Sequence, residues 1–401
     1  MGSRFGWLDH DDAQRAAMHE LVRMFQDQGS VDELGIGSIR DAFSNSFFPG
    51  TSVLHTRARY LLFVPWLVAD VVRRGYGRER AQQELRSLEV RVIKSLLAGG
   101  EDSGVIGNRA QERLKTMPSQ LYWPALQRYQ VVRWRVGIDG FLRRAAESTQ
   151  RGLDVTEADA VDGRGTDVGL DPALPVPPPG LLTATNFALL PDEASYLQAV
   201  FARLPGDSLL RVMAARPDLV SGDHIWTAPA LDLLPPELRT RVDHARRLHH
   251  AWYGAPLLYN LMLAEIVGDD GLVDDYRQQM KDWEAELDEH RVFDGWSQAE
   301  FWSLIRTLNP RLQPPTQRFV SRWFKLAETG SYESAAARDL IRDREFALKR
   351  RRSRLLDPQA RESWTPGAGT VRLGYRWEVV TSFLRDVSDG LARGLDETGA
   401  A

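Results

Sequence analysis

The sequence predicts a mainly α-helical protein, with a multi-helix N-terminal domain, a helical C-terminal region and few short strands. Apolar residues recur every three to four positions along most of the chain, which is the period of an amphipathic helix. Gly and Pro pairs such as Pro49-Gly50 separate the periodic segments. Strand-like patterns are confined to residues 224–226 and 371–373.

The N-terminal helices follow one another with short breaks. They are predicted at 11–28, 38–47, 54–74, 78–97, 108–117 and 122–133. The apolar run YLLFVPWLVA is interrupted by Pro65 and closed by Asp70. It is far shorter than the roughly 20 residues that span a bilayer, so we interpret it as part of a buried helix.

Acidic residues, Gly and Pro without periodicity fill the middle of the chain, which is typical of a flexible linker. Further helices are predicted at 192–204, 231–267, 273–289, 298–308, 316–328, 333–354 and 377–395. We therefore expect four consecutive regions. They are a helical domain with a basic surface (1–151), a linker (152–180), an acidic helical domain (181–308) and a basic C-terminal helical region (309–401).

The composition is that of a soluble globular protein, with 43% hydrophobic and 26% charged residues. The chain has no Cys, which excludes disulfides and disfavours a structural zinc site. Its first residues lack a signal-peptide pattern, so we expect a cytoplasmic protein that does not associate with a membrane.

Charge is segregated along the chain. The net charge is +9 over residues 51–151, −10 over 181–300 and +6 over 301–401. Nearly all the cations are Arg, whose planar guanidinium group pairs bidentately with phosphate or carboxylate. Two explanations stay open: the basic and acidic regions pair internally, or the basic regions bind a polyanion.

The glycine pair in ELGIGSIRDAF raises the question of a phosphate-binding turn. Gly35 and Gly37 permit a backbone that cradles an anion ahead of a helix. However, no GxxxxGK[ST] motif is present, and no Lys follows the turn. We therefore favour a structural turn that allows tight packing.

Three basic stretches are candidates for nucleic-acid contact. Arg57 and Arg59 precede the apolar helix, although Asp32, Glu33 or Asp41 could pair with them instead. A second stretch interleaves cations with aromatics, as nucleic-acid surfaces do, although such aromatics also build cores. It contains Arg109, Arg113, Lys115, Tyr122, Trp123, Arg128 and Trp134. The third, KRRRSR, is the densest, and a polyanion would relieve its self-repulsion. Its cations are Lys349, Arg350, Arg351, Arg352 and Arg354.

Common catalytic and metal-binding patterns are absent from the sequence. His244 and His249 are five residues apart, which is not the i, i+4 spacing of a metal-binding helix, and no HExxH motif occurs. We interpret these histidines and His250 as core or partner-facing. The acidic group at Asp269 and Asp270 lacks calcium-loop spacing. No catalytic residue, metal ligand or cofactor is predicted.

Several long blocks resemble a known family. They are ELGIGSIRDAFSNSFFPGTS, TRARYLLFVPW, GVIGNRAQERLKTMPSQLYWPAL, LKRRRSRL and LGYRWEVVTSFLRDV. Together they are similar to a bacterial family catalogued as a domain of unknown function, number six-three-six-one. The resemblance implies no activity for particular residues. It does imply a genomic setting, since relatives look similar to accessory proteins that are encoded beside helicase and phospholipase-D-like genes in antiphage gene clusters.

These observations lead to three hypotheses. The first is a non-catalytic accessory subunit of an antiphage defence system that contacts nucleic acid through the basic stretches, while its acidic centre engages a protein partner. The second is a protein scaffold without nucleic-acid contact. The third is a metal-dependent nuclease that uses Asp269 and Asp270.

Overall fold

The computed structural model describes residues 32–153 and 169–399. Helices dominate these residues and no β-strand occurs among them, which confirms the mainly α class. The predicted helix at 11–28 and most of the predicted linker lie outside the described residues. The described helices are α1 (Gly37–Phe47), α2 (Tyr60–Arg73), α3 (Arg78–Ala98), α4 (Pro118–Arg128), α5 (Ile138–Leu153), α6 (Pro191–Ala202), α7 (Leu209–Ala214), α8 (Pro236–Val267), α9 (Asp270–Glu289), α10 (Gln298–Leu308), α11 (Pro314–Glu328), α12 (Ala335–Lys349), α13 (Pro358–Arg361) and α14 (Trp377–Gly399).

Both predicted strands are wrong. Ile225–Thr227 forms a single turn of 3₁₀ helix, and residues 371–373 have no regular structure. Two of the apolar side chains in these segments are used for packing, since Ile225 and Leu373 are buried. Burial can therefore account for apolar residues in short segments that form no sheet.

The apolar helix begins at Tyr60, six residues later than predicted. Backbone N–H groups ahead of this helix donate hydrogen bonds to side chains that are distant in sequence. The amide of Thr56 donates to the Tyr122 hydroxyl at 2.9 Å, and that of Ala58 donates to Asp386 Oδ2 at 2.9 Å. Because these N–H groups already have acceptors, the chain has no need to extend the helix towards its N-terminus.

The contacts divide the chain into two compact units, each assembled from separate stretches. Among the described residues, unit 1 contains 47–153, 169–234 and 376–399, and unit 2 contains 32–46 and 235–375. The sequence, by contrast, predicts four consecutive regions.

Unit 1 is built around the apolar helix α2. Residues Tyr60 to Val68 of this helix are all buried. Helices α3, α4 and α5 pack against it, and α6 packs against both α7 and α14. The α6–α14 contact is close, because a Cβ at Gly390 would lie 2.6 Å from Ala194 Cβ. Only glycine fits there without a shift.

Unit 2 is built around the 32-residue helix α8, which contacts α9, α11 and α12. A Cβ at Gly254 would lie 2.3 Å from the Trp283 ring, so glycine allows α9 to approach. The Trp283 indole N–H donates to the carbonyl of His250 at 2.7 Å. Within residues 32–153 and 169–399, no helix has the length and apolarity needed to cross a membrane.

Candidate nucleic-acid interface

A buried carboxylate organises the basic run that follows α12. Glu345 is fully buried and accepts the backbone amides of Arg354 and Leu355 at 2.9 and 3.0 Å and the Ser353 hydroxyl at 2.7 Å. Burial raises the pKa of Glu345, but the charge of Lys349 and these hydrogen bonds outweigh burial and leave the pKa below its ordinary value. A charged carboxylate therefore fixes the path of the loop.

The two cations at the ends of the run are engaged internally. Lys349 Nζ contacts Glu33 Oε2 and lies 3.1 Å from Glu345 Oε1. Arg354 Nη1 donates to Glu33 Oε1 at 2.9 Å. Glu33 is only 4% exposed, so both contacts are sheltered from solvent. Internal pairing of Lys349 and Arg354 disfavours their use by a ligand, and their contact with nucleic acid stays a prediction.

The three arginines between them are exposed. Arg350, Arg351 and Arg352 form one turn of 3₁₀ helix, and none of them makes an ion pair within the described residues. The Arg350 guanidinium lies 5.7 Å from the centroid of the Phe346 ring, which is itself 43% exposed. The same loop thus pairs the cations at its two ends internally and leaves its three middle cations accessible.

Arg350 has a backbone conformation that L-residues rarely adopt. Its φ is 54° and its ψ is −121°, a region that glycine occupies without strain. Such a residue costs of order 1–3 kcal/mol and persists only where its surroundings hold it in place. The hydrogen bonds to Glu345 supply that restraint.

The predicted cations ahead of α2 are also engaged internally. Arg57 makes a bidentate pair with Asp386, with Nη2 2.7 Å from Oδ1. Arg59 is 4% exposed and lies 2.7 Å from Glu193 Oε1, while it also donates to the carbonyl of Asn186 at 2.8 Å. These pairs disfavour contact of the two arginines with nucleic acid, which stays a prediction. Pairing within the chain was foreseen as the alternative, but with different carboxylates.

Burial raises the pKa of Asp386 above its ordinary value, although the hydrogen bonds and charge of Arg57 oppose this shift. The buried carboxyl group thus depends on Arg57 to remain charged. Removal of the arginine would leave that carboxyl group buried without its partner.

The second predicted basic stretch stays at the surface of unit 1. Arg109, Arg113, Lys115 and Arg128 are exposed and make no ion pair within the described residues. The segment between α3 and α4 is anchored by Arg86, which donates to the carbonyls of Glu112 and Leu114 at 2.8 Å each. Arg109, Arg113 and Lys115 thus lie on a segment that is tied to α3, while Arg128 is the last residue of α4.

The aromatics of this stretch belong to the core. Tyr122, Trp123 and Trp134 are 0%, 5% and 9% exposed, and both tryptophans pack against Phe141. They are not available to stack on bases, so the prediction of an aromatic platform here is wrong. The alternative, that aromatics at helical spacing build a core, is confirmed.

The glycine turn before α1 has a structural role. The amides of Ile36 and Gly37 donate to the Asp32 carboxylate at 2.8 and 2.6 Å, so the chain's own carboxylate occupies the position that a phosphate would need. Gly35 has φ +75°, and a Cβ there would lie 2.5 Å from Arg344 Nη2. The preference for a structural turn is confirmed.

A further basic face, on α11, was not predicted from the sequence. Arg318 and Arg322 are exposed, one helical turn apart on α11, beside an open groove of about 430 Å³ that Gln317 and Ser321 also line. The opposite face of α11 is buried through Phe319 and other apolar residues. Arg at positions i and i+4 on one amphipathic helix was the available signal.

Histidines and acids were predicted to have ordinary structural roles. His249 is buried, and its Nδ1 lies 3.1 Å from the carbonyl of Leu373. His244 is also buried and accepts the Trp296 indole N–H at 3.0 Å. Asp269 caps α9 by accepting the Leu272 amide at 3.0 Å. None of these three belongs to a group of metal-binding donors within the described residues.

A model of a family of unknown function (DUF6361) matches residues 2–391. The chain therefore belongs to this family, which confirms the resemblance seen in the sequence. A search of the curated proteins gave no match, and neither did a search of the solved structures.

Proposed function

We propose that the chain is a non-catalytic accessory subunit of a bacterial antiphage defence system, that it acts in the cytoplasm, and that it contacts nucleic acid through Arg350, Arg351 and Arg352. The supporting observation is the sorting of charge within one loop. Lys349 and Arg354 are bound to Glu33, while the three arginines between them are exposed. A loop held from inside loses little conformational entropy when its outer side chains bind.

Guanidinium groups suit phosphate because they donate several N–H bonds in a planar array and retain their charge. Arg318 and Arg322 add cationic side chains to unit 2. In unit 1, the exposed group of Arg109, Arg113, Lys115 and Arg128 forms a second candidate surface. We expect each surface to bind the phosphate backbone without reading sequence, since phosphate contacts carry no base information.

The test measures nucleic-acid binding by the full chain. Fluorescence anisotropy reports the binding at each of a series of salt concentrations. Charge reversal at Arg350, Arg351 and Arg352 should weaken binding strongly and reduce the slope of log K against log salt by about 2–3, because each phosphate contact contributes about 0.7–0.9. The matched control reverses Lys281, Arg291 and Arg306, which are exposed cations elsewhere in unit 2. The control should keep most of the affinity and the full slope. Equal effects of both variants, or no measurable binding by the unaltered chain, would contradict the proposal.

A second candidate is a protein scaffold. It is favoured by the internal use of Arg57, Arg59, Lys349 and Arg354, which reduces the cationic charge available to a polyanion. In this case the acidic region would bind a basic partner, and charge reversal at the three loop arginines would leave co-purification with products of neighbouring genes unchanged. The nuclease hypothesis is less favoured, because the Asp269 side chain already accepts a hydrogen bond as the cap of α9.

A further inference from the structure

Three side chains of metal-binding type converge in unit 2, and none of them belongs to the cationic surfaces described above. His250 lies on α8, Glu286 lies on α9, and His290 follows the last residue of α9. One donor atom of each lies within 4.8 Å of the donor atoms of the other two. This is the one such group of three or more donors in the described residues.

The backbone brings these donors together for a simple reason. Glu286 and His290 are four residues apart, so one helical turn places them on the same side of α9. His250 approaches from the adjacent helix, with its Nδ1 in contact with Glu286 Oε1. The rings of His250 and His290 have centroids 4.5 Å apart.

Neighbouring groups hold the donors in place. Arg372 binds both carboxylate oxygens of Glu286 at 2.6 Å, and its guanidinium lies 3.5 Å from the centroid of the Tyr253 ring. Arg246 donates to the carbonyl of His290 at 3.3 Å. Ligating side chains in metal sites are commonly oriented by outer hydrogen bonds of this kind.

We propose that His250, Glu286 and His290 bind one divalent transition-metal ion of the zinc class. Two imidazole nitrogens and one carboxylate oxygen are a ligand set that Zn²⁺ accepts, and the fourth position would be left to water. In a tetrahedral zinc site with bonds of about 2.0–2.2 Å, ligand atoms lie roughly 3.4 Å apart. The present donor atoms lie within 4.8 Å of one another, so around an ion His250 and Glu286 would move apart and the exposed His290 would turn towards them.

The competing explanation is a hydrogen-bonded cluster without an ion. His250, Glu286 and Arg372 satisfy one another in that case, and they would do so whether or not His290 were present. His290 distinguishes the two explanations, because its ring nitrogens make no hydrogen bond within the described residues and its side chain is exposed. Its removal should therefore cost metal affinity but little stability.

The experiment uses the full chain without a polyhistidine tag, stripped with chelator and titrated with Zn²⁺ in a calorimeter. We expect one ion per chain, and we expect His290→Ala to weaken binding by at least about tenfold, the lower end of the effect of losing even an outer partner. Substitution of Co²⁺ for Zn²⁺ should give visible absorption bands typical of a four- or five-coordinate site, and His290→Ala should remove these bands. Circular dichroism establishes that the variant is folded.

The matched control is His224→Ala, which removes a histidine that stacks on Trp226 in unit 1. The control should bind Zn²⁺ as the unaltered chain does. The proposal is overturned if the unaltered chain binds no ion stoichiometrically, or if His290→Ala and His224→Ala bind equally well. The proposed metal site does not depend on nucleic-acid binding, so either proposal can fail alone.

Discussion

The loop at 349–354 and the segment at Arg57 and Arg59 are both rich in cations, but they use them differently. Both arginines of the earlier segment bind carboxylates, Asp386 and Glu193. The loop pairs only its two ends and exposes its middle. A basic run in the sequence therefore need not form a basic surface in the folded chain. Buried carboxylates determine which of its charges remain available.

The largest change in the free energy of unfolding is expected for substitution of Arg59, and it would sharpen this comparison. Arg59→Ala leaves Glu193 buried without its partner, so the free energy of unfolding should fall by about 3–5 kcal/mol. Chemical denaturation measures this loss. Nucleic-acid affinity per folded molecule should stay the same, because Arg59 is only 4% exposed. The double variant Arg59→Met with Glu193→Gln should recover most of the stability. A loss below about 1 kcal/mol would show that the pair is not the sheltered contact described here.

A somewhat smaller effect is expected for Glu345→Ala. The substitution leaves the Arg354 and Leu355 amides without their acceptor, so we expect the free energy of unfolding to fall by about 3 kcal/mol. Because the loop loses its restraint, nucleic-acid affinity should also fall at temperatures where the variant is folded. Glu362→Ala, at an exposed carboxylate, is the control and should change neither quantity. Unaltered affinity in folded Glu345→Ala would show that the fixed loop path does not matter for binding.

A third prediction concerns Glu89, a buried carboxyl group that makes no ion pair within the described residues. It accepts the Ser119 amide at 2.6 Å, and burial raises its pKa to about 7. The folded state therefore holds a proton that the unfolded state loses above about pH 4.5, and stability falls as pH rises from there to about 7. Glu89→Gln should remove this dependence and increase stability at pH 8 by about 2–3 kcal/mol, with little change at pH 4. Thermal unfolding at both pH values measures the effect. A variant that is equally destabilised at both would contradict the assignment.

The sequence was sufficient for local features of the fold. Helix α3 was predicted at 78–97 and is observed at Arg78–Ala98, because its periodicity is regular and Gly residues flank it. The apolar helix was predicted to begin too early, since Asp386, which holds the Ala58 amide, is 328 residues away in the chain. Periodicity contains no information about such partners.

The candidate sites also depend on partners that are distant in the sequence. The exposure of Arg350–Arg352 could be suspected from charge density, but the loss of Lys349 and Arg354 to Glu33 could not, because Glu33 is more than 300 residues distant. The pair Glu286 and His290 has the i, i+4 spacing that was sought only between two histidines. Its third member, His250, becomes a neighbour only when α8 and α9 pack.

The most direct measurement compares the inner and outer cations of the loop. Arg350, Arg351 and Arg352 are changed to Ala in one variant, and Lys349 and Arg354 are changed to Met in the other. Both variants are tested for unfolding free energy and for the salt dependence of nucleic-acid binding. The variant that changes the exposed Arg350, Arg351 and Arg352, called the outer variant, should keep its stability, bind nucleic acid more weakly and show a smaller slope of log K against log salt. The variant that changes Lys349 and Arg354, called the inner variant, should lose stability. While it is folded, its slope of log K against log salt should stay close to that of the unaltered chain. Loss of slope in the inner variant with full binding by the outer one would contradict the sorting of charge on which the proposed function depends.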